Sequence, residues 1–396
     1  MKRHLVSIVP VAAALSASPA FAQWTVVNLN PAGMAGSAAF GSSASQQAGT
    51  VVVGTMNHAS LWSGTSASWV DLNPIGALWS QARGISGAQQ VGFAWVGDLR
   101  RAGLWTGTSA SWVDLSPAGA TYSEAYATTG SQQVGYAQIS GVGRASLWSG
   151  TASSWVSLHP AGAQYSYAYG TTGSTQVGYA RVSFANHASL WSGTPGSWVD
   201  LHPAGATGSW AYGVSGTQQV GWAVVNDSRH AGLWTGTAAS WVDLHPAGAQ
   251  WSEAYATSGT YQVGYAQFGN IFQAALWSGT PGSWENLALA LTGAWGHTYA
   301  QCVWSTGPLT LVAGYGHNLS TGRDEALLWS RPNTPPACTG DLNGDGQVDT
   351  SDLTKFLGQF GKSCGEISGI CADFNHDGLV NTADLTVFLG RFGQPC

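Results

Sequence analysis

Apolar and polar residues alternate in short bursts along most of this 396-residue chain. One stretch shows the pattern: Ser252-Glu253-Ala254-Tyr255-Ala256-Thr257, Gln262-Val263-Gly264-Tyr265-Ala266, Ala274-Ala275-Leu276-Trp277 and Ser283-Trp284-Glu285-Asn286-Leu287, with Gly, Ser or Pro between the runs. Runs of four to six residues with β-branched and aromatic content, punctuated this way, predict strands. A Leu-Trp pair marks the period, with Trp at 62, 105, 148, 191, 234 and 277, 43 residues apart, and a seventh at 329 after an insertion. Four antiparallel strands in such a unit match one propeller blade.

The chain ends distinguish a ring from an open solenoid. The trailing segment of the unit, Trp112-Val113-Asp114-Leu115 in one copy, is missing after the last unit, yet Val26-Val27-Asn28-Leu29 stands alone at the start. An N-terminal strand that completes the last blade closes the ring and removes unpaired edges. The expected body is therefore all-β, a seven-bladed β-propeller over residues 23–330. The small-residue strand, as in Tyr122 to Thr129, is expected nearest the axis and the Trp-Val-Asp-Leu strand outermost. The paired tryptophans, such as Trp105 and Trp112, are expected to pack between blades.

Composition sharpens this picture. Gly (54), Trp (21) and a charged fraction of only 8% suit short strands and tight turns better than helices with solvated faces. Residues 1–22 read as an export signal, with Lys2, Arg3 and His4, an apolar run from Leu5 to Leu15, and Ala20-Phe21-Ala22 before Gln23. That run is too short to span a bilayer, and no later apolar stretch is long enough for a transmembrane segment. The expected location is outside the cytoplasm, secreted or at the cell surface. No Lys occurs between Gln23 and Asn333, so the propeller has no basic footprint for nucleic acid.

Acidic residues concentrate elsewhere. Eight of the 19 lie between Asp341 and Asp384, beyond a Pro-rich linker at 331–337. Asp341, Asn343, Asp345, Asp349 and Asp352 occupy positions 1, 3, 5, 9 and 12 of a loop with Gly346 at position 6. Asp373, Asn375, Asp377, Asn381 and Asp384 repeat it 32 residues on, with Gly378. Calcium takes about 6–8 oxygen ligands, so a loop wrapping it alternates ligands with bystanders and turns sharply at Gly. Gln347 and Leu379, at position 7, are expected to offer backbone carbonyls. Two loops imply two calcium ions. After each loop an apolar stripe at helical spacing follows: Leu353, Phe356, Leu357 and Phe360, then Leu385, Phe388, Leu389 and Phe392. The stripes are expected to bury against each other. Cys338, Cys364, Cys371 and Cys396 frame the two halves as disulfide cysteines, with Cys338–Cys364 and Cys371–Cys396 the favoured pairing of three. Cys302 reads as a buried thiol.

Two resemblances follow from these residues. Segment 338–396 looks like a type I dockerin module, framed here by cysteines, and Asp at position 12 is the residue dockerins use. The resemblance implies docking to a cohesin-like partner, with Thr350, Ser351, Thr382 and Ala383 facing it, and association with polysaccharide-degrading systems. The repeat resembles the extracellular HAF-repeat family in His187-Ala188-Ser189-Leu190-Trp191-Ser192-Gly193 and His230-Ala231-Gly232-Leu233-Trp234-Thr235-Gly236, with His58 opening a third copy. That family implies export but no settled activity.

No catalytic constellation emerges. His159, His202 and His245 precede Pro at matching positions, where other units have Asn30, Asn73 and Ser116, so turn capping is the expected role. Glu124 and Glu253 are the best carboxylates for a glycosidase, but they sit three units apart, and glycoside hydrolysis needs about 5–9.5 Å. The expected function is non-catalytic binding or anchoring, with a glycan or protein on the propeller and Trp79, Trp95, Trp210 and Trp251 as stacking candidates. The alternative is a polysaccharide-degrading hydrolase delivered by its dockerin.

Overall fold

Segments whose side chains alternate between a packed and a wetter face pair readily into sheets, and seven four-stranded antiparallel sheets form. A computed structural model describes residues 24–306, 308–333, 340–367, 371–374 and 377–394. These fall into two compact units, the first spanning Trp24–Arg331. The third blade is typical: Ala120–Thr128, Gln133–Ile139, Val142–Trp148 and a two-residue outer strand, Val156–Ser157. The first strand of each blade lines the axis, and a register shift bends it, between Ala125 and Ala127 in this blade. The inserted residues before Trp329 form a short 3-10 turn, Leu287–Ala290, and lengthen the strands of the seventh blade.

The N-terminal strand Thr25–Asn28 pairs antiparallel with Arg323–Pro332, with Val26 opposite Trp329, and so supplies the outer strand of the last blade. That last strand takes in Arg331 and Pro332, which the sequence reading gave to the linker. Polar contacts lock the seam. Asn28 Nδ2 donates to the buried Glu325 carboxylate at 2.6 Å, which also accepts from Asn318, Thr321 and Arg323. Burial raises the Glu325 pKa, but these donors outweigh it and hold the group below the usual carboxylate value. Trp24 donates to Glu285 at 2.6 Å while the Arg331 guanidinium lies over its ring and pairs with the same carboxylate.

Two devices join each blade to the next. The Trp that ends the third strand is fully buried in the preceding blade: Trp105 packs with Ala48, Ala59, Leu61, Leu72 and Ala82, with Trp112 alongside at 4.6 Å. A buried hydroxyl on each inner strand also accepts a backbone N–H from the preceding blade. Ala59 donates to Ser80, Ala102 to Ser123, Ala145 to Ser166, Ala188 to Ser209 and Ala231 to Ser252, each at 2.9 Å. Ala274 to Thr298 and Ala326 to Ser37 complete the circle.

The pre-proline residues hold that hydroxyl in place. His202 Nδ1 lies 2.8 Å from Ser209 Oγ and Nε2 lies 3.0 Å from the Ala206 carbonyl, and His159 and His245 repeat the pattern. Asn73 does the same work with its carboxamide, accepting from Ser80 and donating to the Ala77 carbonyl. Nε2 faces a carbonyl and therefore carries hydrogen, and in the neutral ring Nδ1 accepts the Ser hydroxyl proton. Burial first, and then His187 stacked at 4.1 Å, lower the His202 pKa. Burial and His230 lower that of His245, and burial and Arg144 that of His159. The histidines on the third strands have a different role: His58, His187 and His230 bond across to Asp71, Asp200 and Asp243, and Arg101 takes that place with Asp114.

The depressed histidines are neutral in the fold and take up protons more readily when unfolded. Propeller stability is therefore complete above the ordinary value of 6.5 and declines as pH falls below it. Thermal unfolding across pH 5 to 7.5 should show this, and replacing His159, His202 and His245 by Asn should flatten the profile. Ser209→Ala, which leaves the Ala188 N–H unpaired, should cost about 1–3 kcal/mol.

Candidate functional site

In the second unit, each acidic loop delivers its last residues into a helix, α1 (Thr350–Gln359) and α2 (Thr382–Leu389). Asp349 and Asn381 are the N-caps. Their side chains accept from Ser351 N and Ala383 N, and Asp352 and Asp384 reach back to close a capping box. Gly346, with φ +87°, and Gly378, with φ +97°, make the sharp loop turn in a region that other residues rarely enter.

The loops gather oxygen. Carboxylate oxygens of Asp341, Asp345 and Asp352 lie within 4.8 Å of one another, as do those of Asp373, Asp377 and Asp384. Asp341 is 6% exposed and Asp352 is fully buried, and Asp373 and Asp384 match them at 8% and 0%. Backbone donors orient them: Asp352 accepts from Leu342, Asn343 and Asp349, Asp341 from Gly344 and Gly346, Asp384 from Phe374 and Asn381, and Asp373 from Asp377 and Gly378. Three carboxylates so close repel one another unless a cation lies among them. An all-oxygen set of this kind suits a hard divalent ion such as calcium. Asn343 Oδ1 accepts from Asp345 N beside the cluster, whereas Asp349 and Asn381 spend an oxygen on the helix cap. Asn375 lies outside the described residues. Gln347 and Leu379 occupy position 7, where the Leu379 carbonyl accepts from Asn381 Nδ2 at 3.1 Å.

The two halves interlock as a pseudo-symmetric pair. Gly361 N donates to the Val380 carbonyl and Gly393 N to the Val348 carbonyl, each at 2.7 Å, so each helix exit binds the other loop. Phe356 and Phe388 stack at 5.6 Å in a small core with Leu342, Val348, Ala372 and Val380. The apolar stripes are only half buried, however. Leu357, Phe360, Leu389 and Phe392 are exposed, because a core of two short helices has room for one aromatic from each. The favoured cysteine pairing also fails: Cys364 bonds Cys371, with Cα atoms 5.5 Å apart. A 3-10 turn, Cys364–Glu366, begins at the first of these cysteines, and the second follows seven residues later in the chain. Cys338 and Cys396 lie outside the described residues. Thr350, Ser351, Thr382 and Ala383 are all exposed on the first turns of α1 and α2.

On the propeller, Glu124 and Glu253 are buried and each pairs with an arginine of the preceding blade, Arg100 and Arg229. They sit in blades three apart, and the structure gives them as inter-blade ion pairs. Trp251 is 41% exposed, while Trp79, Trp95 and Trp210 are partly covered, Trp79 on Trp95 at 5.9 Å and Trp210 on Trp222 at 3.8 Å. Arg100 lies over Trp79 and Trp95, and Arg229 over Trp251. The axial channel holds a cavity of about 520 Å³ lined by Phe40, Arg83, Tyr126, Tyr169, Tyr212 and Tyr255, among others. Cys302 lies on its wall, and burial pushes the thiol up to about 12.

Residues 339–389 match the family model of the Dockerin type I domain, so the second unit carries a dockerin module. Dockerin modules bind calcium and cohesins and occur in extracellular and cell-surface proteins. No curated protein matches the chain. Among solved structures, a puromycin hydrolase mutant complexed with PGG is similar at 11% identity and a TM-score of 0.50, over 78% of this chain and 56% of that one. The chain thus spans little more than half of that protein's length. An oligogalacturonate lyase in complex with manganese is similar at 12% identity and TM-score 0.50, over 78% of this chain and 97% of that one. An acylaminoacyl peptidase in complex with a chloromethyl ketone gives 9% and 0.51, over 76% and 52%. At these identities the likeness is one of fold. No helix among the described residues is long and apolar enough to cross a membrane.

Chelation should loosen the dockerin unit and leave the propeller intact. With EDTA, limited proteolysis of the full chain should cut within residues 340–394 and spare 24–331, and calcium should restore protection. Asp352→Ala or Asp384→Ala should raise the calcium needed for protection at least about tenfold, as losses around metal sites commonly do.

Proposed function

We propose that this protein is exported and acts as a docked, non-catalytic binding protein, in which the dockerin unit holds a cohesin-like partner through two calcium ions and the propeller holds a glycan. The observation that carries this reading is the doubled loop. Each cluster of converging carboxylates leads into a helix whose exposed first turn, Thr350-Ser351 or Thr382-Ala383, stands beside the metal site. A calcium ion in each loop would fix both helix starts and present two equivalent recognition surfaces. The export-type N-terminus and the likeness of the repeat to the HAF-repeat array agree with an extracellular setting. On the propeller, Trp79, Trp95 and Trp251 offer ring surface beside paired arginines, a combination suited to sugar rings and their hydroxyls.

The test uses the full chain in calcium. Type I cohesins and a panel of plant and algal polysaccharides are presented, with reducing ends assayed in parallel. The expected result is cohesin binding that EDTA abolishes, retention by at least one polysaccharide, and no released ends. Substituting Thr350-Ser351 together with Thr382-Ala383 by Asp should lower cohesin affinity at least about tenfold, the scale of about 1.4 kcal/mol lost at a desolvated contact. Released ends that disappear on Glu124→Ala would instead make the propeller a hydrolase.

A further inference from the structure

The blades carry a belt of large side chains along one half of the inner and second strands. Cross-strand partners in register give Gln81 opposite Phe93, Glu124 opposite Tyr136, Tyr167 opposite Tyr179, Trp210 opposite Trp222, Glu253 opposite Tyr265 and Tyr299 opposite Tyr315. Neighbouring blades touch through these rings: Tyr136 and Tyr167 at 4.6 Å, Tyr179 and Trp210 at 6.0 Å, Tyr265 and Tyr299 at 5.5 Å. The first blade breaks the belt. Its equivalent pair is Ala38 opposite Thr50, and two residues earlier, where Trp79, Tyr122, Tyr165 and Trp251 stand in four other blades, it has Gly36, as the fifth blade has Gly208. A Cβ on Gly36 would come within 3.1 Å of the Asp324 carbonyl oxygen, so the last blade's Arg323–Pro332 strand crowds that position.

What the missing rings leave is a pocket of about 510 Å³ at the seam between first and last blades. Phe40 and Tyr315 meet as an aromatic corner, centroids 6.3 Å apart at 75°. Asn57, Gln81, His317 and Asp324 bring polar groups to the same space. The Gln81 Oε1 atom is buried and has no hydrogen-bond partner among the described residues. Buried oxygens of Gln132 and Gln267 share that condition, and a small shift of the Gln81 side chain toward the pocket would let it accept from water or from a ligand hydroxyl. The charges at the wall are matched: His317 bonds Asp324 at 2.9 Å, and Arg323 is held by Glu325 and the Met34 carbonyl. Arg83, whose guanidinium lies over Phe40, lines the axial channel and not this pocket.

We infer that this seam pocket is a saccharide site that takes one or two neutral sugar units. The inference rests on the reading of the propeller as a glycan binder and adds, apart from the ring surfaces of Trp79, Trp95 and Trp251, an enclosed site at one blade junction out of seven. Flat aromatic faces accept the C–H face of a pyranose, while a carboxamide, an imidazole and a carboxylate meet hydroxyls that both donate and accept. A matched wall disfavours a ligand that brings its own charge. The volume lies within the range of about 300–1,000 Å³ usual for small-ligand pockets.

The test is calorimetric titration of the calcium-loaded full chain with glucose, galactose, mannose, xylose and their β-1,4 disaccharides, and with galacturonate as a charged control. At least one neutral sugar should bind at one site per chain and exceed galacturonate. Thr50→Tyr installs the ring that blades three, four, six and seven hold at this position, so it suits the fold while filling the pocket. It should lower affinity at least tenfold without lowering the melting temperature. Gln81→Leu, which adds no bulk, should lower affinity at least tenfold and serves if Thr50→Tyr misfolds. If the panel of polysaccharides binds wild type and both variants equally, the seam is not the site and the broader glycan reading stands. If no glycan binds the full chain, both are overturned, and a preference for galacturonate overturns the neutral-ligand assignment.

Discussion

At every junction of the ring, a backbone N–H in one blade ends on a buried hydroxyl of the next, and the rest of the propeller is arranged around that bond. The donor is always the alanine before the Leu-Trp strand end, Ala59 through Ala326, and the acceptor is Ser or Thr on the axial strand. A larger residue at the donor would push the blades apart. An apolar one at the acceptor would strand an amide in a space with no water. The hydroxyl needs a place for its own proton, which explains the polar residue before proline in the loop above it. Histidine, asparagine and serine are interchangeable there because each can accept that proton. The buried tryptophans then supply the apolar area that makes each junction worth forming.

Much of this architecture could be read from the chain because repetition multiplies weak signals. A single Leu-Trp pair says little, but six in fixed register and a seventh after an insertion give the blade number, and one displaced Val-Val-Asn-Leu segment gives the closure. What the sequence reading missed lies between repeats. The coupling of His187 to Asp200 crosses two strands, and that of the loop residue His202 to Ser209 reaches the next blade's inner strand, so only known strand pairing and blade packing bring them together. The seam pocket is harder still to foresee, since it arises from small residues, Gly36, Ala38 and Thr50, where neighbours carry rings.

The dockerin unit shows the same contrast. Loop positions were legible because ion coordination fixes both spacing and chemistry. The cysteine bond was not, because framing positions in a linear sequence do not reveal which cysteines stand within bonding distance, here Cys364 and Cys371. The helical stripes suggested two fully packed faces, yet the core holds chiefly Phe356 and Phe388. A unit with so little buried apolar surface needs further ties, as small scaffolds generally do, and its converging carboxylates and the Cys364–Cys371 bond are where such ties can act. Its uncovered Leu357 and Leu389 lie on the two helices, and Phe360 and Phe392 just past their ends.

Closure by Thr25–Asn28 has a consequence for biosynthesis. The first blade-forming residues to be translated belong to the last blade, so they must wait some three hundred residues for Arg323–Pro332 to arrive. Until then the growing body has an unsatisfied sheet edge at one end and an orphan segment at the other. Six blades can assemble in order as they emerge, but the ring becomes a single cooperative object only when its two ends find each other. A chain cut short anywhere before that point is left as an unfinished arc with nothing to seal it.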